Sequence, residues 1–354
     1  MSDQAFTGCL LGTAVGDALG LPYEGLSPIR AARLFPNPSQ HHFLFGKGMV
    51  SDDTDHACFV AQAIIRSNGD VDEFQKRLAR SLRWWLLALP AGVGFATARA
   101  TLKLWIGFSP KNSGVFSAGN GPAMRSPILG AAFGHHRERL KQYVRASTEL
   151  THSDPKAYYA ALAVAIASTT GARAYDTPWQ DAYLQSLQLA MPEESAKQFH
   201  ELAGQAAESA AKGESVSIFA DAIGSKDGIS GYSYHTVPCV LQVWFRFGDK
   251  FKHGLRELIE AGGDTDTVGA IFGGIIGASS GTAAIPGEWI SNIIEWPRSV
   301  DWMRRLGKAT AQALDDDSPK IAGPRYFWPG VLVRNVIFLI VVLVHGLRRL
   351  IPPY

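Results

Sequence analysis

Apolar residues recur at three- and four-residue intervals along nearly the whole chain, while alternating runs bounded by turn residues are almost absent. That period predicts an all-α protein, with helices over Ala5–Leu19, Asp55–Ser67, Asp72–Ala88, Pro122–Phe133, Arg137–Leu150, Pro155–Thr170, Trp179–Leu189, Glu193–Ala211, His235–Phe247, Phe251–Glu260, Thr265–Ser279, Val300–Asp315 and from about Val331. Between them Gly, Pro, Ser and Asn gather at Ser27–Gly48, Gly107–Gly121 and Gly224–Tyr234. Loops of that length inside a compact domain are commonly functional, so these three are expected to meet substrate. Composition first shifts near Asp315, where DDDSPKIAGPRYFWPG reads as a linker. One domain is therefore expected over 1–315, a linker over 316–330 and a hydrophobic C-terminal helix over 331–354.

Two helices carry an unusual pattern. Gly8, Gly12, Gly16 and Gly20 fall every four residues, as do Gly269, Gly273, Gly277 and Gly281, which sets each series along one helix face. A glycine costs roughly 1 kcal/mol relative to alanine inside a helix, so two such series need compensation. Close packing of backbone on backbone supplies it, and predicts that the two helices lie against one another or against a common neighbour.

The bulk numbers narrow the function. With 354 residues, 46% of them hydrophobic, the chain can build one large core or two ordinary ones. Its 34 basic and 32 acidic residues nearly cancel, leaving no excess charge to track a nucleic-acid backbone. Cys9, Cys58 and Cys239 are odd in number and lack C-x-x-C spacing, which argues against a disulfide framework and a structural zinc site; they read as reduced thiols of a cytoplasmic protein. The N-terminus has no basic region ahead of its apolar stretch, so no signal peptide is predicted. Thr267 to Gly287 is uncharged but dominated by small residues, and reads as a buried helix rather than a membrane span. The tail is different: Val336–Val344 is an aliphatic run flanked by Arg334 and by His345, Arg348 and Arg349. It falls short of the ~20 residues of a typical span. Such a segment fits a membrane-interface anchor, a partner contact or a helix docked on its own domain.

The chemistry gathers at two helix starts. Ser51-Asp52-Asp53-Thr54-Asp55 opens one helix, and Gly262-Gly263-Asp264-Thr265-Asp266-Thr267 opens the second glycine helix. Either cluster alone reads as an N-cap favoured by the helix dipole. Five carboxylates with flanking hydroxyls exceed what capping needs, and brought together they repel unless a cation lies between them. Oxygen donors without nearby Cys or His select hard divalent ions, Mg²⁺ or alternatively Mn²⁺. Two such ions can orient hydroxyls, polarise an oxygen and activate water, which implies a hydrolase without naming its substrate.

These motifs, taken in order, resemble those of the ADP-ribosylglycohydrolases. Gly12-Thr13-Ala14-Val15-Gly16-Asp17-Ala18-Leu19-Gly20 with Glu24 resembles the family's opening G-x-x-x-G-D-x-x-G…E helix. Ser51-Asp52-Asp53-Thr54 is similar to its S/T-D-D-T motif, and Gly119-Asn120-Gly121-Pro122-Ala123-Met124-Arg125 to its G-N-G-x-x-M-R loop. Thr151-His152 and the G-G-D-x-D-T run complete the set, which spans roughly residues 8 to 282 and leaves out the tail.

The resemblance implies a compact orthogonal multi-helix domain with a binuclear Mg²⁺ site, acting on an ADP-ribosylated protein and releasing ADP-ribose, with arginine-linked substrate favoured. It assigns Ser51, Asp52, Asp53, Asp264, Asp266 and Thr267 as metal ligands, and proton transfer to an acid among Glu24, Asp52, Asp53 and Asp264. Ser117, Gly119, Asn120 and Gly121 correspond to a diphosphate loop, with Met124 in the same motif and His152 at the ribose or phosphate. Gly231 and Tyr232 precede a late helix where an aromatic stacks on adenine. Glu24 also fits a solvated turn acid, and Asp17 reads as a structural hydrogen-bonding group in an apolar helix. Two rival readings remain: a binuclear phosphoester hydrolase, against which the G-N-G-x-x-M-R and T-H motifs weigh, and a non-catalytic ADP-ribose-binding or toxin-neutralising protein, which has no need of all six ligand positions.

Overall fold

The computed structural model describes residues 2–43, 45–170, 179–315, 322–325 and 327–350. In chain order its α-helices are α1 Asp3–Gly20, α2 Pro28–Leu34, α3 Asp52–Ser67, α4 Val71–Leu87, α5 Phe95–Trp105 and α6 Gly121–Met124. They continue with α7 Pro127–Phe133, α8 Arg137–Glu149, α9 Pro155–Ala167, α10 Trp179–Ala190, α11 Lys197–Ala211 and α12 Val216–Ala222. The last six are α13 Ser233–Phe247, α14 Phe251–Glu260, α15 Thr265–Ser280, α16 Gly287–Ser291, α17 Val300–Ala313 and α18 Trp328–Arg348. Among the described residues there is no strand, only isolated bridges, and the fold is all-α as expected.

The two glycine helices form the centre of the molecule. α1 is buried from Gly8 to its end, and α15 from Thr265 to Ala278. They lie antiparallel, with Gly8 against Gly277, Gly12 against Gly273 and Gly16 against Gly269. A Cβ at any of these six positions would fall onto the partner's carbonyl oxygen, well inside van der Waals distance. The fourth step differs: Gly20 meets the backbone of Thr265, and Gly281 ends α15 with φ 69°. Helices α17, α14, α7 and α3 pack around this pair. Because α1 and α15 run in opposite directions, the C-terminal end of one lies beside the N-terminal end of the other.

Several helical segments depart from the expected pattern. The region Ser27–Gly48, expected as loop, contains α2. The helix expected over Pro122–Phe133 is broken into α6 and α7 at Pro127, whose ring cannot continue a helix but starts one well. α12 is too short for its period to register. α5 was hidden for a different reason: it buries Thr97, Ala100, Thr101 and Leu104 while Phe95, Leu102 and Trp105 face solvent.

α18 inverts the usual pattern more completely. Its outward face is aliphatic, with Val336, Ile340, Leu343, Val344 and Leu347 exposed, while Arg334, Asn335, Phe338 and His345 point inward and are buried. It is one of two described helices long and apolar enough to cross a membrane; the other, α1, is 89% buried against 33% for α18. The helix starts at Trp328, inside the expected linker, much of which (316–321 and 326) lies outside the described residues, as do 351–354 of the expected tail helix.

Candidate functional site

Asp17, near the end of α1, organises the first acidic cluster. Its buried carboxylate accepts from the Ser51 amide at 2.9 Å and from the Thr54 amide at 3.2 Å and hydroxyl at 2.5 Å, so a side chain of α1 caps α3. The expected structural role of Asp17 is what the geometry provides. Asp53 Oδ2 accepts from the hydroxyls of Ser51 at 3.1 Å and Thr267 at 3.3 Å, which ties the start of α3 to the start of α15. Asp53 Oδ1 is buried without a partner, an oxygen whose desolvation is uncompensated by the protein itself.

The second cluster is held by backbone. Gly262 and Gly263, with φ 70° and 86°, thread between the Glu24 loop and the segment after Gly228. Gly25 donates to the Gly263 carbonyl at 2.8 Å, Gly263 to that of Leu26 at 3.0 Å, and Asp264 to that of Ile229 at 2.7 Å. A side chain at either glycine would strike these neighbouring carbonyls, so the close approach and the positive φ both require glycine. The threading brings one carboxylate oxygen each from Glu24, Asp264 and Asp266 within 4.8 Å of one another. Glu24 as a residue is exposed, but its carboxylate turns inward to this group.

Burial, reinforced by their neighbours' charges, pushes the carboxyls of Asp52, Asp53 and Asp266 well above the usual range; burial also raises Asp264. Burial pushes Asp17 up to about 6, and Glu24 up to about 7 with help from Asp264. Carboxylates crowded in this way keep their charge only beside a cation. The all-oxygen donor set, the unpartnered Asp53 oxygen and the close Glu24–Asp264–Asp266 group fit hard divalent ions. Asp55 does not join them. It turns away to a buried ion pair with Arg298 and accepts from the Trp85 indole at 2.9 Å, so the five-carboxylate grouping read from sequence is corrected to four plus Glu24.

A cavity of about 790 Å³ opens over the clusters. Glu24, Asp52, Asp264, Asp266 and Thr267 form its acidic end, while Ser51 and Asp53 lie behind it. Ser117, Gly119, Asn120, Gly121, Met124, His152 and Gly231 line the remainder. Asn120 links the two parts: its side chain donates to Asp264 Oδ2 at 2.6 Å and to the Thr236 hydroxyl at 3.0 Å. Two of the three expected loops reach the cavity; Ser27–Gly48 does not, and packs instead on α16 through His41 and Trp289.

Tyr232 also stands apart. It is not in the cavity lining, its ring lies edge-on to His235 at 5.0 Å, and its hydroxyl accepts from Lys156 at 2.9 Å. The aromatic ring that does line the cavity is Phe95, 90% exposed at the start of α5. Sequence reasoning also passed over the work of Arg125. Fully buried, it donates to the Ser147 carbonyl and hydroxyl, the Gly121 carbonyl and the Thr151 hydroxyl, fixing the cavity loop to the end of α8. The arginine that closes the G-N-G-x-x-M-R motif was the available signal. Thr151 in turn shares a 2.8 Å hydrogen bond with His152 Nδ1. Burial, then the Arg125 charge, pushes His152 down to about 3, so its ring is neutral near pH 7. Since Thr151 Oγ1 already accepts from Arg125, its own proton is free for Nδ1, leaving Nε2–H beside Gly119 and the cavity.

Comparison with known proteins agrees with the motif pattern. The ADP-ribosylglycohydrolase family model matches residues 2–320, ending before α18. The ADP-ribosyl-[dinitrogen reductase] glycohydrolase of Rhodospirillum rubrum is 28% identical, over 81% of this chain and 89% of that protein. ADP-ribosylhydrolase ARH3 of Danio rerio is 27% identical, over 85% and 89% respectively. A solved structure described as an ADP-ribosylglycohydrolase-related protein complex superposes with a TM-score of 0.62 at 27% identity, covering 88% of this chain and 99% of its own.

Proposed function

The chain belongs to the ADP-ribosylglycohydrolase family, hydrolases of ADP-ribosylated substrates, and from that premise we propose that it is a Mg²⁺-dependent enzyme releasing ADP-ribose from modified protein, with arginine-linked ADP-ribose its preferred substrate. The observation that carries the finer reading is the acidic end of a cavity large enough for a dinucleotide-sized ligand, set beside a glycine loop and a neutral histidine. The Rhodospirillum rubrum relative, whose name specifies modified dinitrogen reductase, supports a protein as the carrier of the ADP-ribose.

Ser51, Asp52, Asp53, Asp264, Asp266 and Thr267 would hold two divalent ions. When bound, such ions supply Lewis acidity toward the ribose hydroxyls and lower the pKa of a water. Asn120 fixes the direction of the Asp264 carboxylate by donating to one of its oxygens. The Ser117–Gly121 loop offers backbone to a diphosphate, with Pro122 withholding one amide. His152 would donate from Nε2 to a ribose or phosphate oxygen. Bond cleavage at the anomeric carbon passes through an oxocarbenium-like state, and Glu24, the acidic side chain on the cavity's edge, would carry the proton. Three buried free thiols are in keeping with action in the cytoplasm.

The test is release of ADP-ribose from arginine-linked and serine-linked ADP-ribosylated protein, with Mg²⁺ and with EDTA. Release from the arginine-linked substrate that disappears in EDTA supports the proposal. Release unaffected by EDTA removes the metal, and preference for serine linkage removes the substrate assignment.

A further inference from the structure

α18 lies beyond the family match, yet it reaches the acidic site. A second cavity of about 130 Å³ is walled on one side by Glu24, Asp52 and Asp266 and on the other by Phe338, His345 and Arg349. The inward polar residues of α18 end on the rest of the protein rather than on solvent. His345 Nε2 lies 2.9 Å from the Pro22 carbonyl, and Arg349, just past the helix end, donates to the same carbonyl at 2.7 Å and to the Glu24 carbonyl at 2.8 Å. Further back, Arg334 forks onto Glu295 at 2.6 and 2.7 Å and donates to the Val50 carbonyl at 2.6 Å, one residue before Ser51.

The Glu24 turn is also tied to the second acidic cluster, but by bonds that leave the Pro22 and Glu24 carbonyls to α18. Its own bonds are Glu24 to Leu21 at 3.3 Å and Leu26 to Tyr23 at 3.0 Å, and on its other side Gly25 donates to the Gly263 carbonyl and Gly263 to that of Leu26. The His345 ring stacks on Phe35 at 5.0 Å and meets Phe43 edge-on at 4.7 Å, so the helix end is itself immobilised where it grips the turn. A helix with apolar residues outside and forked donors inside is built to hold carbonyls in place, since guanidinium N–H groups give short, directional bonds.

We propose that α18 is a clamp that fixes the Glu24 turn over the acidic clusters, with Arg349 and His345 as positioning residues for the hydrolysis. The catalytic half of this statement rests on the proposed function; the structural half does not. With the Glu24 carbonyl and the Pro22 carbonyl both pinned, the Glu24 carboxylate keeps its direction toward Asp264 and Asp266. Without the pins the turn swings outward and the carboxylate with it.

The test uses the full chain with Mg²⁺ and measures amide hydrogen exchange together with steady-state ADP-ribose release for Arg349→Ala, Arg349→Lys and His345→Ala. Loss of two charge-assisted bonds predicts roughly tenfold or greater acceleration of exchange at Gly25 and Leu26, and a fall in kcat of similar size with KM little changed. Exchange at Val268, which bonds to Asp264 inside α15, stays as in the wild type. Arg349→Lys recovers only part of both effects, because a single ammonium nitrogen on a shorter stem replaces the two planar donor nitrogens that reach the two carbonyls. His345→Ala leaves Arg349 in place, gives a smaller change in the same direction, and keeps the test available should the arginine variant fail to fold. Unchanged exchange at Gly25 and Leu26, or acceleration shared equally by Val268, overturns the clamp. If the wild type releases no ADP-ribose, the proposed function fails while the exchange comparison still decides the clamp.

Discussion

The acidic clusters are held from two sides by opposite means. On one side α1 and α15 meet backbone to backbone, with no side chain between Gly8, Gly12 and Gly16 and their partners Gly277, Gly273 and Gly269. On the other side α18 and the residue after it hold the site mainly through the ends of side chains, which bond the carbonyls of Pro22, Glu24 and Val50. The first contact has no rotamers to adjust and therefore one geometry. The second depends on a few hydrogen bonds that can open without unfolding the core. Asp264 and Asp266 sit on the rigid side, Glu24 on the adjustable one, so variants on the two sides should fail differently.

The largest effect is expected at Gly273→Leu. Its Cβ meets the Gly12 carbonyl and carbon, neither of which can move without displacing α1, so it should cost more than about 3 kcal/mol in urea denaturation and lose activity with the fold. A variant that stays within about 1 kcal/mol of wild type, inside the range of ordinary substitutions, would break the comparison on its rigid side. Arg334→Ala comes next. It strands the Glu295 carboxylate, whose side chain is wholly buried, and should cost about 3 kcal/mol while α1 and α15 stay paired. Asn120→Ala should leave stability almost untouched but reduce metal affinity or turnover about tenfold or more, because Asp264 loses the donor that aims it.

A pH series sharpens the contrast between the metal-free and loaded states. In EDTA, Asp17 has a folded pKa of about 6, above the roughly 4 of a free aspartate, and the neighbouring carboxyls move in the same direction. Their proton uptake stabilises the fold fully below about pH 4, and that stabilisation is lost as pH rises through 6. The buried neutral His56, His152 and His345 act in the opposite direction in every variant, so in thermal melts in EDTA the wild type should gain Tm from pH 7.5 to pH 5 relative to Asp264→Asn/Asp266→Asn. Saturating Mg²⁺ should reverse that relative gain, since bound carboxylates must be ionised. The smallest effect is expected on the outer face of α18, where Leu343→Ser should change stability by no more than about 0.5 kcal/mol.

The rigid side was the part most legible in the sequence. A glycine every fourth residue has few explanations other than backbone contact, and Asp52, Asp53, Asp264 and Asp266 stand at helix starts that the apolar period marks. The adjustable side was not legible. The aliphatic run of α18 suggested that its apolar face was the one to be covered, whereas Arg334, Asn335 and His345 dock together with Val331 and Phe338 and most of the run stays outside. The same reversal concealed α5, and with it Phe95, an aromatic in the cavity lining to which the family resemblance, naming Tyr232, did not point. Asp55 misled in another way. Its position in the S-D-D-T-D run puts it beside the cluster in sequence, but its turn of the helix aims it at Arg298, some 240 residues further along and invisible to any local pattern.

The two helix starts are proposed to form one binuclear site. Equilibrium counting of Mn²⁺ bound per chain, for the wild type and for Asp264→Asn/Asp266→Asn, tests it most directly. Two ions are expected in the wild type, and in the variant a folded protein that has lost both tight binding and ADP-ribose release. A wild type that binds no ion, or a variant that retains both ions and full release, would contradict it.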